Sequence, residues 1–159
     1  AWARTYGVPY VIVRPTNNYG IGQYVEKFIP RAIKYLSCGK SIELHQNGTP
    51  VRTWLHVSDT ARAVLQMIDS GVQNEIYNIS GNYEIDNLTV AKKIIDYSGV
   101  LLDGQTYTDW LATDLIRQGM DVRYSIDDSK LKALGWEPQA NFDTELKSIV
   151  DYYLTNFVW

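Results

Sequence analysis

The sequence predicts an α/β fold. Two observations carry this. The apolar run Val8-Pro9-Tyr10-Val11-Ile12-Val13 reads as a strand buried on both faces of a parallel sheet. Beyond it, short β-type segments take turns with segments of helical periodicity, the order expected of layered α/β structure.

The elements follow in chain order. Ala1 to Gly7 reads as the last turn of a helix with Gly7 as its C-cap. Val8 to Arg14 is the buried strand. The polar loop Pro15-Thr16-Asn17-Asn18-Tyr19-Gly20 follows at its carboxyl end, where ligands lie in open α/β sheets. Pro30 to Leu36 is a helix, with Pro30 in its first turn and Gly39 past its end. Ile42 to His45 alternates, Asn47-Gly48 is a turn signal, and Val51 to Val57 alternates as a second extended segment. Ser58 is a suitable N-cap for a helix through Ile68, closed by Gly71, with Ala61, Val64, Leu65 and Ile68 as its apolar face.

Glu75 to Ile79 is a short strand ending before Gly81. Asn87 can cap the next helix, whose inward face is Val90, Ala91, Ile94 and Ile95. Residues 101–120 have weaker periodicity and suit a strand, a loop and a short helix. Asp127 or Asp128 starts a short helix that stops at Gly135. The clearest helix begins near Asp143, with Leu146, Ile149, Val150, Tyr153 and Leu154 at i, i+3, i+4, i+7 and i+8.

Bulk composition narrows the function. With 159 residues and 45% hydrophobic content, the chain can bury one core and a small second one. No apolar run approaches the roughly 20 residues that cross a bilayer, so no membrane partner is expected. A net charge of −3 without a basic stripe argues against nucleic acid. Cys38 is the only cysteine, which suits a reducing cytoplasm. It has no evident base beside it, so a nucleophile role is not expected. His45 and His56 stand apart without a cysteine cluster, and no metal site is expected. The opening inside a helical turn, without Met and without a Gly-x-Gly-x-x-Gly turn, suggests a piece of a longer chain.

Several side chains suit a polar ligand. Asn17 and Asn18 offer donors and acceptors for a sugar hydroxyl or a nicotinamide carboxamide, or else simply form a turn. Lys27 is a point charge for phosphate, or a solvated lysine paired with an acid. Arg52 lies among apolar neighbours on an alternating segment. A guanidinium there needs a partner, either a diphosphate held bidentately or a nearby carboxylate. Arg117 offers a second guanidinium, or is a surface residue. Asn87 caps a helix and, at the same helix N-terminus, can meet an anion.

The flanking residues make the pattern specific. Arg14-Pro15-Thr16-Asn17-Asn18-Tyr19-Gly20 is followed by Gln23-Tyr24-Val25-Glu26-Lys27-Phe28-Ile29-Pro30. Then come Tyr77-Asn78-Ile79-Ser80-Gly81, Asp121 to Asp127 and Leu134-Gly135-Trp136-Glu137-Pro138. In that order they resemble the nucleotide-sugar 4,6-dehydratases of the extended short-chain dehydrogenase/reductase group, best the dTDP-glucose 4,6-dehydratases. The resemblance runs from Val8 to about Tyr153. It implies late elements of a Rossmann-type parallel sheet plus a small mixed α/β substrate-binding domain. Residues 1–40 would supply the late Rossmann strand with the substrate loop and helix, and 41–159 mainly the nucleotide-sugar-binding domain.

The resemblance also implies roles. Asn17, Lys27, Phe28, Glu43, Leu44, His45, Arg52, Asn87, Arg117 and Met120 would line the nucleotide-sugar site. Of these, Arg52 and Arg117 would hold the diphosphate and residues 43–45 the base. Asn18 would lie against the NAD cofactor. Three places depart from the usual pattern: Glu43 and His45 stand for Pro and Tyr, Gln118 and Met120 for Pro and His, and Ile21 for Pro. These bear on which base and sugar are bound. The family's reaction oxidises sugar C4 with NAD, eliminates water across C5 and C6, and returns the hydride to C6. Its Tyr-x-x-x-Lys pair has no counterpart in these residues, so no catalytic residue is expected here and the piece alone is expected to be inactive. The whole protein would be a homodimer. Three alternatives remain: a UDP-sugar 4-epimerase or other extended reductase, a non-catalytic sugar-nucleotide-binding module, and a purely structural domain.

Overall fold

A computed structural model describes residues 1–116, 118–119 and 121–156. The mixed α/β architecture expected from the sequence is present. It begins with helix α1 (Trp2–Tyr6), strand β1 (Val11–Pro15), strand β2 (Asn17–Tyr19) and helix α2 (Phe28–Ser37). Strand β3 (Ile42–His45), strand β4 (Val51–His56) and helix α3 (Val57–Asp69) follow. Next are strand β5 (Glu75–Ile79), strand β6 (Tyr83–Asp86) and helix α4 (Asn87–Ser98). The chain closes with strand β7 (Leu111–Leu115), strand β8 (Arg123–Tyr124), helix α5 (Ser129–Lys132) and helix α6 (Phe142–Thr155).

β4 is the hub. Its later half pairs in parallel with β2, placing Asn17 beside Trp54 and Tyr19 beside His56. Its first half lies between antiparallel β6, with Arg52 opposite Ile85, and parallel β8, with Val51 beside Arg123. Side chains alternate across a strand, so β4 sends Trp54 to one core and Leu55 to another. Trp54 joins Tyr19, Ile29, Ile33, Ile94, Phe142, Leu146 and others on α2, α4 and α6. Leu55 joins Ala63, Met67, Tyr77, Ile79, Leu131 and Trp136. β3 and β7 form a separate parallel pair, as do β1 and β5.

Gly81 lets the chain cross β4 at close range. A Cβ there would lie 1.7 Å from the Trp54 carbonyl oxygen, inside any allowed contact. Asp59 binds the first turn of α3 to the segment before α6. Its carboxylate is 1% exposed, accepts from the Gln139 and Ala140 backbone N–H groups at 3.1–3.2 Å, and pairs with Arg62.

Four expectations need correction. β1 is not buried on both faces: Val11, Ile12 and Val13 are 37–43% exposed, because β1 pairs with β5 alone and no layer covers it among the described residues. Part of the loop 15–20 is strand, since β4 supplies Asn17–Tyr19 with ladder partners. The face of α3 is reversed. Ala63, Met67 and Asp59 point inward, while Ala61, Val64, Leu65 and Ile68 are exposed. The caps shift by one or two residues. β4 runs directly into α3, so the cap is His56, whose Nδ1 accepts from the Ser58 N–H. At α4 the cap is Asp86, accepting from the Thr89 N–H at 2.8 Å; Asn87 is the first helical residue. Residues 101–116 hold a turn, a short 3-10 helix (Tyr107–Trp110) and β7, the element types expected there.

Candidate nucleotide-sugar site

The site is built on the face of β4 that carries Arg52 and Trp54. Register places Asn17 beside Trp54 on that face, and the Phe28 ring lies 6.4 Å from the Trp54 ring at the start of α2. The structure therefore brings Asn17, Phe28 and Arg52 to one surface. The next strand, β6, runs into α4, which puts Asn87 at the same end of the sheet as Val51. The free N–H groups of a helix N-terminus favour an anion there.

Arg52 meets no carboxylate among the described residues. Its Nη1 donates to the Val51 carbonyl at 2.8 Å and to the Asp121 carbonyl at 2.9 Å. Carbonyl oxygens orient a guanidinium without neutralising it, so its remaining donors and its charge are available to a ligand. The alternative role, a structural ion pair, is not made among the described residues.

Asn17 and Asn18 differ. The Asn17 carboxamide has no hydrogen-bond partner among the described residues. The Asn18 carboxamide is held: Nδ2 donates to the Thr16 carbonyl at 3.1 Å, and Oδ1 accepts from Thr60 Oγ1. The Asn18 carbonyl accepts from Gln23 Nε2 at 2.6 Å. Tyr153 Oη accepts from the Gly22 N–H at 2.8 Å and donates to the Gln23 carbonyl. These bonds fix the turn between β2 and α2 against α6. Lys27 is the exposed N-cap of α2. Tyr19 packs against Trp54, His56 and Phe142. Burial, aided by the Glu145 carboxylate, pushes its hydroxyl far above the usual phenol range. It stays protonated at neutral pH and is no base.

On β3, Glu43 and His45 are half-buried on one face, and His45 Nδ1 is a buried atom with no partner among the described residues. Leu44 points the other way, its side chain in the core at 1% exposure, so only its backbone faces the Glu43–His45 side. Arg117 and Met120 lie outside the described residues. Beside the turn carrying Asn18 is a cavity of about 190 Å³ lined by Tyr19, Gly20, Ile21, Gln23 and Val57. A larger one, about 720 Å³, lies apart between α1 and β1, against Trp2, Val8, Tyr10 and Ile12. It holds none of these polar groups.

A model of the NAD dependent epimerase/dehydratase family matches residues 1–80. The chain belongs to that family. Among relatives of this epimerase/dehydratase chain, the dTDP-glucose 4,6-dehydratase of Escherichia coli is 39% identical over 165 residues, covering all of this chain and 46% of the relative. Two crystal structures of dTDP-glucose 4,6-dehydratases superpose well. That from Bacillus anthracis, in complex with NAD, has a TM-score of 0.82 at 36% identity, over 98% of this chain and 48% of its own. That from Streptomyces venezuelae, with NAD and TYD bound, reaches 0.87 at 33% identity, over 98% and 47%. The epimerase/dehydratase chain thus spans about half the length of the relatives it matches.

Sequence reasoning did not find Thr60, which fixes Asn18, nor Asp121, which holds Arg52. Thr60 carried no local signal, because its partner lies 42 residues away. Asp121 opens a segment that the family resemblance had marked, Asp121 to Asp127, but its backbone role has no side-chain signature.

Proposed function

We propose that the full-length protein is an NAD-dependent dehydratase. It would convert a nucleoside-diphosphate glucose, with dTDP-glucose favoured, to the 4-keto-6-deoxy sugar. Within it, this chain supplies the nucleotide-sugar site. The observation that carries the reading is Arg52, half-buried beside the N-terminus of α4 and held by two carbonyls, with no acid among the described residues to neutralise it. A diphosphate answers that geometry, since paired oxygens match a guanidinium fork. Asn87 and Lys27 would add a donor and a charge, and Arg117 a second guanidinium. Asn17, with a free carboxamide, suits a sugar hydroxyl, and the half-buried Glu43–His45 face suits the base. Relatives named dTDP-glucose 4,6-dehydratase, at 39% identity across the whole chain, favour dehydration over epimerisation.

NAD, when bound, would supply the hydride exchange at the sugar. Asn18 fits a place beside it, because one N–H of its carboxamide remains after the bond to Thr16 and Thr60 fixes the orientation of the group. The described side chains would bind and orient the sugar nucleotide. The domain division at about residue 40 and homodimer formation belong to the same proposal.

The test is turnover by the full-length protein with dTDP-glucose and UDP-glucose, followed by the absorbance of the 4-keto product and by mass. A product lighter by one water with dTDP-glucose is expected. An isomerised product of unchanged mass would instead assign an epimerase.

A further inference from the structure

β4 is bound from both edges, and one ion pair crosses it. On the face opposite Arg52, Arg123 of β8 makes a two-pronged contact with Glu84 of β6, with Nε to Oε2 and Nη2 to Oε1 both at 2.9 Å. Thr53 lies beneath this fork. Its hydroxyl donates to the Tyr124 carbonyl at 2.9 Å and lies 3.3 Å from Glu84 Oε1. The Val51 N–H donates to the Val122 carbonyl at 2.9 Å. Residues 121–124 are thereby strapped along β4, and the first of them, Asp121, offers the carbonyl that holds Arg52.

We infer that the Glu84–Arg123 fork is a positioning clamp for Arg52: it holds the 121–124 strap so that the Asp121 carbonyl aims the guanidinium at a diphosphate. This rests on the reading of Arg52 as a diphosphate ligand. The pair adds little to stability. The Arg123 and Glu84 side chains are 62% and 34% exposed, and exposed pairs contribute little to folding. Planar two-point pairing gives geometric precision instead, and β8 has only two residues of ladder to hold it. Without the fork the strap retains few bonds, and Arg52 loses one of its two orienting acceptors.

The test is calorimetric titration of the full-length protein with dTDP, using thymidine, which lacks phosphates, as the control ligand. Glu84→Gln and Arg123→Gln are expected to weaken dTDP about five- to tenfold, with thymidine binding unchanged and the thermal midpoint little changed. Arg123→Lys, which keeps the charge but loses the fork, should fall between. The exchanged pair Glu84→Arg with Arg123→Glu should restore much of the dTDP affinity, which a role in surface charge alone would not require. Single variants that bind dTDP as tightly as the unaltered protein overturn the clamp. Arg52→Met, measured alongside, keeps the two ideas apart. If it weakens dTDP while the clamp variants do not, only the clamp fails. If it too is without effect, the diphosphate reading of Arg52 fails as well.

Discussion

Trp54 on β4 is 5% exposed and Ile12 on β1 is 43% exposed, although Ile12 sits in the more continuous apolar run. β4 has α2, α4 and α6 over one face, and Ala63, Met67 and Leu131 against the other. β1 has a single neighbour, β5, and shows Val11, Ile12 and Val13 to solvent along with Ile76. α3 repeats the pattern, with Ala63 and Met67 buried and Leu65 and Ile68 exposed. Apolar content therefore states a need for cover, and the supplier of that cover is a matter of topology. The candidate ligand groups Asn17, Phe28 and Arg52 all belong to the covered part, where packing fixes their positions.

The sharpest way to break this contrast is a pair of truncations. Ile94, fully buried between α4 and its neighbours, should cost about 2–5 kcal/mol when cut to Ala. Ile12→Ala should cost under about 1 kcal/mol, since the side chain is already partly in water. Urea denaturation of both variants measures the difference; equal losses would mean that β1 is packed as tightly as α4 is. Next in size is Arg52→Met, expected to lower dTDP affinity by about 1.5–3 kcal/mol, the range for hydrogen bonds to charged groups, with little change in thermal midpoint. A loss of stability matching the loss of binding would make Arg52 a structural residue.

Tyr153→Phe probes the border between packing and site. It keeps the buried ring but removes the acceptor of the Gly22 N–H, so a stability loss of about 1 kcal/mol is expected. Faster amide exchange confined to residues 20–24 would locate the effect. The smallest effect is that of pH. The hydrogen bond from Arg123 holds the Glu84 carboxyl below its usual range, and that from Lys130 does the same for Glu75. A carboxylate whose pKa is lowered by folding stabilises above its unfolded value, about 4.3, and this contribution fades as pH falls through the folded value. The thermal midpoint should therefore decline below about pH 4.3, by a small amount because both groups are exposed, and less steeply in Glu84→Gln.

The sequence was most legible where local pattern and final packing agree. Val90, Ala91, Ile94 and Ile95 on α4, and Leu146, Ile149, Val150 and Tyr153 on α6, are all buried as their spacing predicts, whereas Leu154, the last of the α6 stripe, is exposed near the helix end. For α3 the stripe Ala61-Val64-Leu65-Ile68 is the stronger apolar signal. Yet the buried Asp59 and Trp136 turn the other side of the helix inward through hydrogen bonds formed 77–81 residues apart. The site divides in the same way. Asn17, Phe28 and Arg52 stood in contiguous motifs, and the register gathers them. Thr60, Glu84 and Arg123 work through partners 39–42 residues distant, which no local window contains. Leu44 shows the converse: membership of a motif did not give the direction of its side chain, which strand alternation sends into the core.

The one thiol of the chain offers an experimental handle. Cys38 is exposed and occupies the carboxyl end of α2, while Lys27 caps the amino end. The ten residues of α2 lie between them, so eleven steps of about 1.5 Å put them about 16 Å apart. A fluorophore attached to that sulfur would label this chain at a single point. It would sit far enough from Lys27 and Phe28 to leave them unobstructed, and near enough to transfer energy to or from a coloured nucleotide analogue bound there.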